Sequence, residues 1–298
     1  MKLMVNGLCV NPVLGSAQLE KSRSDAAAAL TAALWTAAAD TYFLHLSVKL
    51  GDVVRLTEDD GTERFLGSIH AITRTPEQVR FTAFDRGIYL SRNEVFGVFA
   101  GSGADICRQV AKQLGIGVAS IDAKEHYQVI SAISGANAFS VLRQAAGGDR
   151  EIAVENGALT IKKGRAVTFL LHTEHIREVS ASADIRGMVN RCVVVDRKGR
   201  ALASAQNKSD MAACGTFQAV VGKSGSDPAA QAAEGLAGRA MKAEVLLPGN
   251  AGYFCGACVR GQQPQWGLEG LYRIEAVCHR WEAGLFTTEL TLEGVDGN

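Results

Sequence analysis

Apolar residues in this chain alternate with polar ones in short runs more often than they recur at helical spacing. Val79-Arg-Phe-Thr-Ala-Phe84 sets Val79, Phe81 and Ala83 against Arg80, Thr82 and Phe84, the period of two of a half-buried strand. Thr75-Pro76 marks the loop before it. Phe43 to Leu56 also reads as strand, Glu58-Asp59-Asp60-Gly61 as a turn whose Asp-Gly pair accepts positive φ, and Glu63 to Ile69 as the returning strand. Ser24 to Ala39 is ambiguous: its alanines favour helix, while Leu30, Ala32 and Leu34 alternate as a strand requires.

The period then changes. Ser102 is placed as an N-cap, Asp105 lies near the positive end of the macrodipole, and Ile106, Val110 and Leu114 share one helical face that Gly115 ends. A short helix is predicted from Ala136 to Ala146, stopped by Gly147-Gly148. Glu151 to Val154 and Leu159 to Ile161 flank an Asn156-Gly157 turn and read as a hairpin. Strands return at Gly187 to Val195, with Asp196 to Gly199 as a turn, and at Thr216 to Val221. Asp227-Pro228 opens a helix expected to run to Lys242, with Ala229, Ala233, Leu236, Ala237 and Ala240 on one face. Gly270 to Ile274 and Phe286 to Leu292 form a final hairpin in which Phe286, Thr288, Leu290 and Leu292 face one way.

With 298 residues the chain is long enough for two or three domains. Lys plus Arg equals Asp plus Glu at 31 each, so no global basic field exists to hold nucleic acid or an anionic membrane. The longest apolar stretch, Ala26 to Trp35, is too short to span a bilayer. Asn6, Gly7 and Asn11 interrupt any leader-like core, and the chain reads as a cytoplasmic product. Seven cysteines, an odd and scattered set, read as reduced thiols.

Candidate chemistry is thin. Cys255-Gly-Ala-Cys258 has metal-like spacing and would need a turn at Gly256 and further ligands, for which Cys278 and His279 are nearest. Neighbours on one strand point to opposite faces, so both could not reach one ion without a bulge. His172 and His175 would share a metal only with a third ligand, and Glu58-Asp59-Asp60 is explained by its turn. Gly222-Lys223-Ser224 has Phe217 where a phosphate loop needs glycine, and Gly101-Ser-Gly103 has Ile106 where a dinucleotide loop needs one. Trp266 and Trp281 read as core or interface anchors rather than sugar platforms.

Order and spacing nevertheless carry a resemblance. Gly51-Asp-Val-Val-Arg-Leu56, Phe65-Leu-Gly-Ser-Ile69, Asp85, Ile88-Tyr89-Leu90 and Asn93 precede the Ser102 helix. Tyr127 to Ser131, Ala138-Phe139, Gly215-Thr-Phe-Gln218, Gly249-Asn250, Gly252 and the terminal hairpin with His279 follow. This series resembles the baseplate hub proteins of contractile phage tails and phage-tail-like particles (the late control protein D and phage-like element PBSX hub family).

The resemblance implies a mainly β fold with an α+β insert: two small tube-type β-barrel domains at 1–92 and 173–298, and a mixed α/β middle domain at 93–172. It favours strand for Ser24 to Ala39. It also implies a structural, non-enzymatic homotrimer that needs no cofactor or metal and forms a pseudo-sixfold ring between a sixfold tail tube and a threefold central spike. The expected partners are the tube protein, the spike protein and other baseplate components. The expected location is the cytoplasm during assembly and then the baseplate of a virion or phage-tail-like particle. The competing expectations are a zinc- or cysteine-dependent hydrolase using Cys255, Cys258 and His279, and a β-sandwich carbohydrate-binding module using Trp266 and Trp281.

Overall fold

A computed structural model of the chain describes residues 1–37, 47–123, 125–148, 150–155, 157–163, 167–223 and 227–295. The first segment holds β1 (Lys2–Val5), β2 (Leu8–Cys9), β3 (Leu14–Ser22), β4 (Ala29–Trp35), β5 (Val53–Thr57), β6 (Glu63–Arg74) and β7 (Gln78–Asp85). Next come α1 (Ile88–Arg92), β8 (Glu94–Gly101), α2 (Gly103–Leu114), β9 (Gly117–Ile121), β10 (Gln128–Asn137), α3 (Ala138–Ala146), β11 (Arg150–Glu155) and β12 (Ala158–Lys163). The remainder holds β13 (Thr168–Leu170), β14 (Glu178–Asp184), β15 (Arg191–Val195), β16 (Ala201–Gln206), α4 (Lys208–Cys214), β17 (Gln218–Gly222), α5 (Pro228–Glu234), β18 (Ala240–Pro248), β19 (Cys258–Gln263), β20 (Leu268–Glu282) and β21 (Leu285–Gly294).

The fold is mainly β with an α+β middle, as the resemblance implied. Thirteen strands form one curled sheet in the order β14-β18-β21-β20-β3-β4-β7-β6-β5-β1-β2, with β19 and β13 branching from β20. The branch arises because β20 is fifteen residues long, about 50 Å of extended chain. Its first part pairs with β19 from Leu268↔Gln263 to Arg273↔Cys258, and its second part pairs with β3 from Ala276↔Ser22 to Glu282↔Ser16. β21 lies along its other side.

The sheet curls around two apolar cores. One contains Leu3, Leu30, Leu34, Leu56, Phe65 and Phe81. The other contains Val245, Leu247, Tyr272, Ile274, Leu290 and Leu292. The alanine-rich segment is strand over Ala29–Trp35, hydrogen-bonded on both sides by β3 and β7. Burial of Leu30, Ala32 and Leu34 on one face overrides the intrinsic helical preference, and Ala32 stands opposite Phe81, where a larger side chain would crowd the ring.

A third core lies between α2, α3 and the small sheets β8–β10 and β9–β12–β11. Ser102 caps α2 in a reciprocal capping box with Asp105, and Gly115 closes it at φ +67. The helix at 138–146 and the hairpin β11–β12 form where the pattern placed them; Asn156 of its turn lies outside the described residues.

Two expectations are corrected and one strand was missed. Of the strand expected over Phe43 to Leu56, residues 43–46 lie outside the described set, 47–52 form a loop with Gly51 at φ +86, and the strand begins at Val53. β8 was not anticipated: its exposed Phe96 and Val98 hide the alternation with buried Val95 and Phe99. The helix expected from Asp227 to Lys242 ends at Glu234. Gly235 packs so closely on Cys192 that a Cβ there would meet Sγ at 2.4 Å. Beyond it, Ala243, Val245 and Leu247 alternate with outward residues in β18, paired by β14 and β21 on either side. Nonlocal pairing selects strand here for a sequence that is also compatible with helix.

Ser102→Ala is expected to lower stability by about 1 kcal/mol, since it removes the bond to the Asp105 amide. Urea unfolding of the variant beside the parent chain measures the change.

Candidate functional site

The parts of the chain meet at one polar junction. Arg23, just past β3, has a nearly buried side chain whose Nη1 lies 2.8 Å from Glu275 Oε1 on β20, while Nη2 donates to the Gly148 carbonyl at 2.6 Å. Arg143 of α3 donates to the Arg23 carbonyl at 2.8 Å, and Arg273 lies 2.6 Å from the same Glu275 oxygen. Burial pushes the Glu275 carboxyl upward, but the two arginines outweigh it and hold the group below its ordinary 4.5. One carboxylate and one guanidinium thus join the first sheet lobe, the middle core and β20.

The structure does not gather the cysteines and His279 into a site. Cys255-Gly256 does form a turn, with Gly256 at φ +85, yet Cys255 Sγ donates to the Lys21 carbonyl at 3.1 Å inside the seam. Cys258 begins β19 opposite Arg273, six positions along β20 from His279, which is about 20 Å of strand. Cys278 and His279 lie on opposite faces, as adjacent strand residues must. Among the described residues no three His, Cys, Asp or Glu side chains are grouped as metal ligands. Burial pushes the Cys255 thiol up to about 12 and that of Cys278 to about 11, so neither supplies a thiolate near neutral pH.

His279 is instead a structural tie. Its Nδ1 lies 3.0 Å from Thr288 Oγ1, which accepts from the Asn250 amide at 3.0 Å. Burial lowers its pKa below the ordinary 6.5, the bond to the Tyr253 backbone opposing this only in part. Trp281 stacks on Phe286 at 4.7 Å and 9°, and Gly249 lies so close that a Cβ would reach 2.0 Å from that ring. Trp266 sits before the far end of β20, about 40 Å of strand from Trp281, so the two indoles form no common platform.

The other motifs stay apart from chemistry. His172 and His175 are exposed, with rings 5.7 Å apart at a short 3-10 turn. Glu58 pairs with Arg64, and Asp60 accepts from Thr62 within its turn. Gly222 ends β17, and Ser224 lies outside the described residues. Gly101 and Gly103 lead into the α2 cap. What the surface offers is edges and faces: β14 and β2 end the large sheet, and a two-stranded sheet, β8–β10, carries exposed Phe96, Val98, Val129 and Ile133. No helix among the described residues is long and apolar enough to cross a membrane.

A family model described as YQBQ-like matches residues 17–293. The chain belongs to the YQBQ-like family. No curated protein matches the sequence of this YQBQ-like chain. Among solved structures, the 43 kDa tail protein of prophage MuSo2 from Shewanella oneidensis superposes with a TM-score of 0.72 at 13% identity, over 98% of this chain and 96% of that one. A tail protein from Neisseria meningitidis MC58 gives 0.66 at 13%, over 99% and 96%. An Escherichia coli component of the type VI secretion system, described as similar to the T4 tail proteins gp27 and gp5, gives 0.57 at 10%, over 98% and 76%. The YQBQ-like chain therefore has the fold of phage tail proteins, consistent with the resemblance read from its sequence.

Two measurements test this account of the polar groups. His279 and Glu275 both have folded pKa values below their unfolded ones, so each contributes stability above its ordinary pKa that is lost as pH falls. Asp85, raised by burial, acts in the opposite sense and offsets part of the acid limb. The urea midpoint should decline below about pH 6.5 and again near pH 4, with His279→Gln removing the first decline and Glu275→Gln reducing the second, to which Asp60, Asp105, Asp184 and Asp196, each held low by hydrogen bonds, also contribute. In the native protein, iodoacetamide should spare Cys107 and Cys255, both buried with thiols pushed up to about 12. In denaturant all seven cysteines should react, as mass spectrometry would record.

Proposed function

We propose that this protein is a structural baseplate hub of a contractile tail, whether of a phage, a prophage or a related injection particle. In this reading three chains close into a pseudo-sixfold ring that joins a sixfold tail tube to a threefold central spike. The observation that carries it is the shared strand β20, which puts two curled sheet lobes in each chain, so that three chains present six. Chain segments 1–92, 93–172 and 173–298 act as first tube domain, middle domain and second tube domain.

The open ends of the sheet support the reading. β14 at one end is a seven-residue edge with exposed Glu178, Ser180 and Ser182, and β2 at the other has two residues. An unpaired edge invites continuation by a neighbour, and cyclic closure removes it. The structurally similar proteins, which are tail and secretion-system components, point the same way. The partners are the tube protein, the spike protein and other baseplate parts, met in the cytoplasm during assembly and retained in the particle. The role is non-enzymatic.

Light scattering over a dilution series, with electron microscopy of the same sample, tests the ring. A mass of three chains that dissociates on dilution, with ring-shaped views, is the expected result. A mass of one chain at every concentration, alone and with the spike protein added, would overturn it.

A further inference from the structure

The two lobes of the large sheet repeat one another strand for strand. In chain order β3, β4, β5, β6 and β7 correspond to β14, β18, β19, β20 and β21, and side by side they are joined as β5-β6-β7-β4-β3 and β19-β20-β21-β18-β14. The correspondence extends to single residues. One row of cross-strand partners runs Val53, Ser68, Phe84, Ala29, Glu20 through the first lobe, and its counterpart runs Cys258, Arg273, Glu293, Lys242, Ser182 through the second. Just past that row each long strand carries a bulge, between Ile69 and Ala71 in β6 and between Ile274 and Ala276 in β20. Positions that match in this register are buried alike: Val54 and Val259, Ile69 and Ile274, Phe81 and Leu290, Leu34 and Leu247.

One partnership in this scheme is made only once. Past its bulge β20 pairs with β3, from Ala276↔Ser22 through Cys278↔Glu20 to Glu282↔Ser16, and Ala17 and Leu19 are buried at this joint. The counterparts of its two sides are residues 71–74, past the bulge of β6, and the outer side of β14. Among the described residues no strand lies beside either. Val179 and Ala181, which stand where Ala17 and Leu19 stand, are only partly buried. The free main-chain groups match as well. The Thr75 amide donates to the Gln78 carbonyl at 2.8 Å, which directs Thr73 and Ala71 toward β7 and turns the N–H and C=O of Ile72 and Arg74 outward. In the internal joint the Arg23 amide donates to the Glu275 carbonyl at 2.8 Å, which makes Val277↔Lys21 and His279↔Leu19 hydrogen-bonded pairs. Val277 and His279 are the counterparts of Ile72 and Arg74.

We propose that β14 of one copy pairs antiparallel with residues 71–74 of β6 in the next copy, in the register of the internal joint: Ala71↔Asp184, Ile72↔Ala183, Thr73↔Ser182 and Arg74↔Ala181. The partner is a second copy of this chain, because the internal joint shows which strand covers this edge at the equivalent place. The proposal rests on the hub reading for the number of copies. The pairing itself is head-to-tail, and closes into a ring or runs on as a filament according to the rotation it imposes. β6 ends at Arg74, so four of the seven internal pairs have a counterpart. The Arg23–Glu275 ion pair has none, since Ile185 and His70 occupy those positions. The joint between copies is therefore the weaker of the two, and the one that opens on dilution.

Thr73 and Ser182 are both exposed and would face one another as a non-hydrogen-bonded pair, close enough for a disulfide. The double variant Thr73→Cys, Ser182→Cys is oxidised with copper phenanthroline across a dilution series and run on a non-reducing gel, and the linked peptides are identified by mass spectrometry. The parent chain, treated alike, controls for its own cysteines. Links joining position 73 of one copy to position 182 of another are expected, in a ladder that ends at three chains. Thr73→Cys with Ser180→Cys, two positions out of register, should lose the link, because the partner Cα atoms then lie beyond disulfide reach. Ala183→Pro removes an outward N–H from an edge strand, where proline is tolerated, so self-association should weaken at least about tenfold with the thermal midpoint nearly unchanged. A three-chain mass without the 73–182 link would overturn this pairing and leave the ring standing. The link in products that run on past three chains would sustain the pairing and overturn the ring. A one-chain mass with no link, a link formed within one chain, or undiminished association of folded Ala183→Pro would each sink the pairing.

Discussion

The pairing of β3 with β20 is the constraint on which the rest of the molecule depends. It joins residues more than two hundred and fifty positions apart and makes one sheet from two lobes that each have their own apolar core. Because β20 must serve β19 along its first part and β3 along its second, its length is set by both lobes. The Arg23–Glu275 contact sits where the β3 pairing begins, and Arg143 and the Gly148 carbonyl bring the middle core to the same point. An ion pair this sheltered adds little net stability over an apolar contact, but losing one partner leaves the other stranded, so it penalises misplacement of any of the three parts.

The buried polar groups share a pattern. Cys255 donates to a main-chain carbonyl, His279 holds a loop through Thr288, and Asp85 accepts from the Gly87 amide. Each resembles a reactive group when read singly. Each is occupied with a backbone or side-chain partner that fixes a turn or a seam, and for the thiol and the imidazole burial favours the neutral form.

Much of the fold was legible where local signals agreed with nonlocal ones. The Ser102 N-cap of α2, the Gly115 stop and the alternation in β7 and β21 were read correctly because cap chemistry and face pattern are local. Ala29–Trp35 was not resolved by residue pattern alone, since alanine satisfies either period and the deciding force is pairing with β3 and β7. The over-long helix after Asp227 failed for the same reason: the chain from Ala240 onward is strand because β14 and β21 flank it. β8 was invisible for a different reason. A strand whose outward face is also apolar carries no polar alternation, so the feature that marks it as a surface removes the signal that would have found it.

The shared strand also has a mechanical meaning. A pull that separates the lobes along the direction of β20 loads the seven register pairs between β3 and β20 together, in shear, and none can open before its neighbours. A pull across the strand opens them one at a time from an end. The same hydrogen bonds therefore make a joint that is stiff along one axis and compliant across it.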